Sequence, residues 1–231
     1  MYLFCSTQKY HMLKSNKGQF FPYSDTAPRR KFPILTISLI ILNVFIFIWS
    51  LSDFENIILT YGFIPAKFSL FSLFTSMFLH GGLDHLFGNM WYLWIFGDNV
   101  EDKLGKAKFL LLYFLSGLSA IFFQYLTDPT STIPSIGASG AISGILGAYL
   151  LLFPREKILT SIQYTFIRIP AYIVIGFWFL IQFIFGTASL LGGTGSNIAF
   201  WAHVGGFLFG LAFTKLIVKK RRKRLKFEFW V

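Results

Sequence analysis

Three short stretches carry residues whose types and spacing could do chemistry. "GASGAISG", residues 137–144, holds Ser139 and Ser143 just ahead of an apolar run. "HGGLDHLFGN", residues 80–89, holds His80, His85 and Asn89, and "WAHVGGFLFG", residues 201–210, holds His203. A serine hydroxyl is a weak nucleophile until an imidazole within hydrogen-bond reach takes its proton. Ser139 with His203 would make such a pair. His85 and Asn89 are four residues apart and share a helix face, so both could donate to a developing oxyanion. A helix starting at Ser139 would add free backbone N–H groups and a positive dipole end at the same place. Gly137 and Gly140 permit a sharp turn and a close neighbour, and Gly205, Gly206 and Gly210 offer a small surface for tight helix packing. Read singly, each residue also has a plainer reading. Ser139 could be a packing serine, and Ser143 suits packing or back-bonding to its own helix. His85 and Asn89 could bond across helices, and His80, at a loop end, suits a structural role.

The elements that must position these residues are apolar spans. Of 231 residues, 55% are hydrophobic and only 13% charged, with a mean hydropathy of +0.61. A soluble domain runs near 25% charged, so this is the composition of a polytopic membrane protein. Six stretches are long enough, or nearly so, to cross the bilayer: 33–51, 84–96, 107–126, 139–153, 170–191 and 199–218. With the amino terminus inside, the inner segments are 1–32, 97–106, 154–169 and 219–231. Of the 21 lysines and arginines, all but Lys67 then lie at the inner face, in these segments or, as Lys108 and Lys215, at the inner ends of spans. The positive-inside rule thus accounts for the net charge of +11, which in a soluble chain would suggest nucleic acid. The tail "KKRRKRLK" could also attract anionic lipid. The second, fourth and sixth spans begin outside, and their polar starts lie at one depth.

Other classes fare poorly. None of the ten acidic residues is in mid-span, which argues against a proton-coupled transporter. The histidines come without H-E-x-x-H spacing or a nearby cysteine, so a metal is not expected, and His85 with His203 is the only pair that could hold a haem. Asp84 precedes His85 and points off its face, so no carboxylate is placed as a third catalytic member. Asp98, Glu101 and Asp102 are expected to pair with Lys103 or Lys106 as a solvated cap. Cys5 is alone, so no internal disulfide forms. Residues 1–31 lack the apolar core of a signal peptide and read as a poorly ordered leader. The stretch 52–80 is a long aromatic outer loop that should lie partly in the interface.

Taken together these motifs resemble the rhomboid family of intramembrane serine proteases. Gly137-Ala138-Ser139-Gly140 is similar to its G-x-S-G, Ala202-His203-Val204-Gly205-Gly206 to its A-H-x-x-G, and His80-x4-His85-x3-Asn89 to its second-span pattern. The resemblance implies Ser139 as nucleophile and His203 as base. It implies oxyanion support from His85, Asn89 and the Ser139 N–H, and a loop-holding role for His80. The chain departs from the pattern in three places. Ser143 replaces an aromatic residue four after the nucleophile that stacks under the histidine in many members. Ile198 stands where some have glycine, and a Trp-Arg pair of the first outer loop is missing.

The expectation is therefore an all-α membrane protein, a six-transmembrane-helix rhomboid-like bundle. It would have a cytoplasmic leader over 1–32, the protease domain over 33–218 and a basic tail over 219–231. It would act as a cofactor-free serine endopeptidase on transmembrane segments of single-span or polytopic membrane proteins, with the lipid bilayer as its other partner and no nucleic acid. Cleavage would fall near the outer face, at unwound sites with a small side chain before the scissile bond. A prokaryotic plasma membrane with both termini in the cytoplasm is the simplest location. The competing expectation is an inactive rhomboid-like protein that binds membrane clients without cutting them. Such proteins lose the serine or the histidine, and this chain keeps both.

Overall fold

In a setting without water every backbone polar group must be paired inside the protein, and apolar segments become helices. The computed structural model describes residues 21–162, 165–192 and 198–228. Cys5, His11, most of the leader and the side chains of the tail from residue 220 lie outside the described residues. The order is β1 (Phe21–Asp25), α1 (Ile34–Ser50), α2 (Phe54–Tyr61), α3 (Leu70–Thr75), α4 (Leu83–Leu104), α5 (Lys106–Thr127), α6 (Ser139–Leu152), β2 (Lys157–Ile162), β3 (Thr165–Pro170), α7 (Ala171–Leu190) and α8 (Phe200–Glu228). Three helices are long and apolar enough to span a bilayer: α5, α7 and the first 20 residues of α8. Helices α1 and α6 are shorter and apolar. The chain is a multi-helix membrane bundle. Ile41, Phe45 and Ile48 of α1 and Leu180 and Ile184 of α7 are exposed, as lipid-facing side chains should be.

Helix α6 is the central post. Every residue from Gly140 to Tyr149 is buried, which the small side chains of "SGAISGILGA" permit. At 14 residues it is about 21 Å long, less than the roughly 30 Å of hydrocarbon. Helices α4, α5 and α8 surround it.

The six longest helices overlap the expected spans, and two of them run on past the expected ends, α8 continuing beyond 218 to Glu228. The second was expected to end at Phe96, but α4 runs on to Leu104 and turns at Gly105 into α5. Hydropathy falls where the helix leaves lipid, whereas the helix itself ends only where the backbone turns.

The end of the bundle opposite Ser139 departs further from expectation. Asp98 pairs with Arg29 at 2.9 Å instead of a lysine of its own helix. Glu101 is buried and accepts from the Leu35 and Thr36 N–H groups at 3.0 and 2.8 Å and from the Thr36 hydroxyl at 2.8 Å. It caps the start of α1 from a neighbouring helix, satisfying donors that α1 cannot pair itself. The end of the leader is also structured. β1 joins β2 and β3 in an antiparallel sheet of order β1–β2–β3, with Asp25 opposite Ile158. Trp91 Nε1 donates to the Pro22 carbonyl at 2.7 Å and Asn99 Nδ2 donates to Asp25 Oδ2 at 2.9 Å, so β1 runs along the flank of α4.

Candidate active site

Ser139 is the first residue of α6, and the turn that places it depends on Gly137. That glycine has a φ of +124°, and a Cβ there would sit 2.8 Å from His85 Nε2 and 3.7 Å from Ser139 Oγ. Only glycine fits both the backbone and the space. The Gly137 N–H is held by the Ser76 carbonyl at 2.9 Å, and Phe63 and Ser135 form a two-way bridge, so the segment between α1 and α4 fixes the approach to α6.

His203 lies in the first turn of α8. Its Nε2 is 2.9 Å from Ser139 Oγ, across two helices and 64 positions of chain. The approach needs glycine on α8: a Cβ on Gly206 would stand 2.0 Å from the Gly140 carbonyl oxygen, while one on Gly140 would stand 2.3 Å from Ala120 Cβ of α5. The other face of the imidazole is occupied too. His203 Nδ1 is 2.8 Å from Oε1 of Gln182, and the Trp178 ring lies 6.0 Å from the imidazole at 33°. Both come from α7, one turn apart. Ser143 donates its hydroxyl to the Ser139 carbonyl at 2.7 Å, which is the back-bonding its position suggested. Position 143 thus has no ring near the imidazole, whereas α7 brings the Trp178 ring to it.

The second-span residues gather beside the serine. Gly81 N–H donates to His85 Nδ1 at 3.3 Å. A neutral imidazole accepting at Nδ1 carries its proton on Nε2, the atom that faces Gly137. Asn89 is buried and donates one Nδ2 hydrogen to the His85 carbonyl at 3.0 Å, leaving its second. His80 is fully buried and packs edge-on to His85 at 5.1 Å, and both of its ring nitrogens lack a protein partner. The first intrahelical bond of α6 is from Ile142 to Ala138, so the N–H groups of Ser139, Gly140 and Ala141 precede its hydrogen-bonded ladder. Ser139 and His203 are half-buried and His85 is exposed, so the site is accessible at the molecular surface. Beside Ser139 is a pocket of about 30 Å³, walled by Gly117, Ala120, Ala141 and Ala199. No group of three metal-ligating side chains occurs among the described residues.

Residues 67–220 match the family profile described as the Rhomboid domain, about two thirds of the chain. The chain belongs to the rhomboid family. It is 31% identical over 202 residues to YdcA of Bacillus subtilis (strain 168), covering 84% of this chain and 94% of that one. It is 30% identical over 219 residues to Rhomboid protein 1, mitochondrial, of Saccharomyces cerevisiae, covering 89% of this chain and 60% of the yeast protein. It is 36% identical over 140 residues to Rhomboid protease GluP of Bacillus subtilis, covering 60% of this chain and 24% of that protein. The chain thus spans nearly all of the first relative and smaller parts of the other two.

In this rhomboid the residues singled out in the sequence come together. Ser139, His203, His85, Gly137, Gly140 and Gly206 meet at the N-terminal ends of α4, α6 and α8, with Asn89 and His80 packed behind. Gln182 and Trp178 were not anticipated. The signal for Gln182 was present, since it is the single amide in the apolar run of α7.

Proposed function

We propose that this rhomboid is an intramembrane serine endopeptidase in which Ser139 is the nucleophile and His203 the general base. The observation that carries this is the 2.9 Å approach of His203 Nε2 to Ser139 Oγ. As Oγ bonds to the carbonyl carbon of a substrate peptide, its proton passes to Nε2. The oxyanion that forms is held by the Ser139 N–H, by His85 Nε2–H and by the remaining Asn89 N–H. The C–N bond then breaks, and the amine leaves with the proton from His203. Water entering from the outer side reverses the same steps on the acyl-enzyme.

Helices α1 and α4–α8 are the six spans, with both termini in the cytoplasm. Residues 33–218 form the protease domain between the leader 1–32 and the tail 219–231. The membrane is a plasma membrane of prokaryotic type. Substrates are transmembrane segments of single-span or polytopic proteins, unwound at the outer juncture. A pocket of about 30 Å³ beside Ser139 admits little more than a methyl or a water, which favours a small side chain before the scissile bond.

The test is cleavage, in liposomes, of a single-span protein with an alanine at a helix-destabilised outer juncture. The unaltered chain should cut it, and Ser139→Ala and His203→Ala should not. Cleavage by Ser139→Ala would refute the reading. An unaltered chain that binds such segments, cuts none and takes up no serine-directed phosphonate would support client binding in its place.

A further inference from the structure

An amide in an apolar helix needs a partner, because an unpaired one in hydrocarbon is costly. Gln182 is buried, and the partner it has is the nitrogen of His203 that faces away from Ser139. A neutral imidazole has one N–H. If Gln182 Oε1 accepts it at Nδ1, then Nε2 is the bare nitrogen beside the Ser139 hydroxyl. If the amide turned over and donated to Nδ1, the proton would sit on Nε2 and the ring could not act as base. The orientation of one amide therefore selects the tautomer. Trp178, one turn before Gln182, limits rotation of the same ring. The other titratable ring facing His203 is His85 on α4.

We propose that Gln182 is a positioning residue for catalysis: its Oε1 fixes the Nδ1–H tautomer and orientation of His203 and steadies the imidazolium that forms. This rests on the roles of Ser139 and His203 given above. A neutral third member suits the place. A carboxylate would steady the imidazolium more strongly, but burying it at this depth would itself be costly.

The experiment compares Gln182→Met and Gln182→Glu with the unaltered full chain in liposomes. It reads kcat, KM and the pH dependence of cleavage, with thermal unfolding in detergent as a control. Gln182→Met, which fills the same space with no acceptor, should lose roughly 10- to 100-fold in kcat with KM nearly unchanged. Gln182→Glu restores an acceptor, so its kcat should recover towards the parent value and the acid limb of its pH profile should move to higher pH. A purely structural residue would move stability and leave that limb in place. Unchanged kcat in Gln182→Met, or a Gln182→Glu profile that overlays the parent's, would overturn the proposal. If Gln182→Met does not fold, the Gln182→Glu pH profile decides alone. Failure of the underlying dyad would look different, because Ser139→Ala would then still cleave.

Discussion

Gly206 of α8 lies against the backbone of Gly140 of α6, one turn beyond His203 on one side and one residue beyond Ser139 on the other. A Cβ at 206 would stand 2.0 Å from the Gly140 carbonyl oxygen, and one at Gly210 would stand 2.0 Å from that of Gly144. These contacts are with backbone, which cannot swing aside as a flexible side chain would. They set the distance between the two helices and so between Oγ and Nε2.

Gly206→Ala should therefore separate α6 from α8. Overpacking of this kind costs about 1–3 kcal/mol or more. The expected outcome is a lower unfolding temperature together with loss of phosphonate labelling at Ser139. Normal stability with normal labelling would mean the helices can part without moving the site.

Trp178 should matter for rate more than for folding. A ring near the imidazole stabilises the cationic form by about 0.5–2 kcal/mol, or roughly 2- to 30-fold in kcat. Trp178→Ala should show that loss and Trp178→Phe should keep most of the activity. Steady-state kinetics on both variants checks it, and a full-rate Trp178→Ala would contradict it.

Glu101 should be a stability residue. Its carboxylate is 4% exposed and accepts three hydrogen bonds at the start of α1. Glu101→Ala leaves those donors unpaired, at a cost of about 3 kcal/mol. Thermal unfolding in detergent should show the drop, with Glu101→Gln intermediate because it keeps one acceptor oxygen.

Asp25 gives the inner end a pH dependence. Burial pushes its carboxyl up to about 6 from 3.8, against the lowering effect of the Tyr149 hydroxyl that donates to it, with Asp98 adding to the rise. A carboxyl raised on folding binds its proton more tightly in the native state. Its contribution to stability is therefore largest at low pH and falls as pH rises between about 4 and 6. Asp25→Asn keeps an acceptor for Tyr149 and removes the titration. Unfolding temperatures across that range should fall less with rising pH for the variant than for the parent. Parallel slopes would show that Asp25 is not the group responsible.

The reasons some of this was legible in the sequence and some was not are physical. Ser139, His203, His85 and Asn89 stood out because polar groups at the starts of apolar spans are costly, and three helices carried them at one depth. The same cost argument applies to Gln182, but attention to carboxylates as third members passed over an amide. Trp178 gave no signal, since an aromatic residue in an apolar helix is ordinary. Ser143 carries no ring to set against the histidine, and the nearness of the Trp178 ring of α7 is a tertiary fact. Glu101 looked like a surface charge because its partners, Leu35 and Thr36, are backbone donors of another helix. The pairing of β1 with β2 joins segments far apart along the chain, Asp25 opposite Ile158, and no local pattern reports such a contact.

The central claim is that Ser139, and not Ser143, is the nucleophile. Its most direct test is reaction of the protein in liposomes with a fluorophosphonate, followed by mass spectrometric location of the adduct. The expected adduct is on Ser139; it persists in Ser143→Ala and disappears in both Ser139→Ala and His203→Ala. An adduct that survives in Ser139→Ala, or that maps to Ser143, would contradict it.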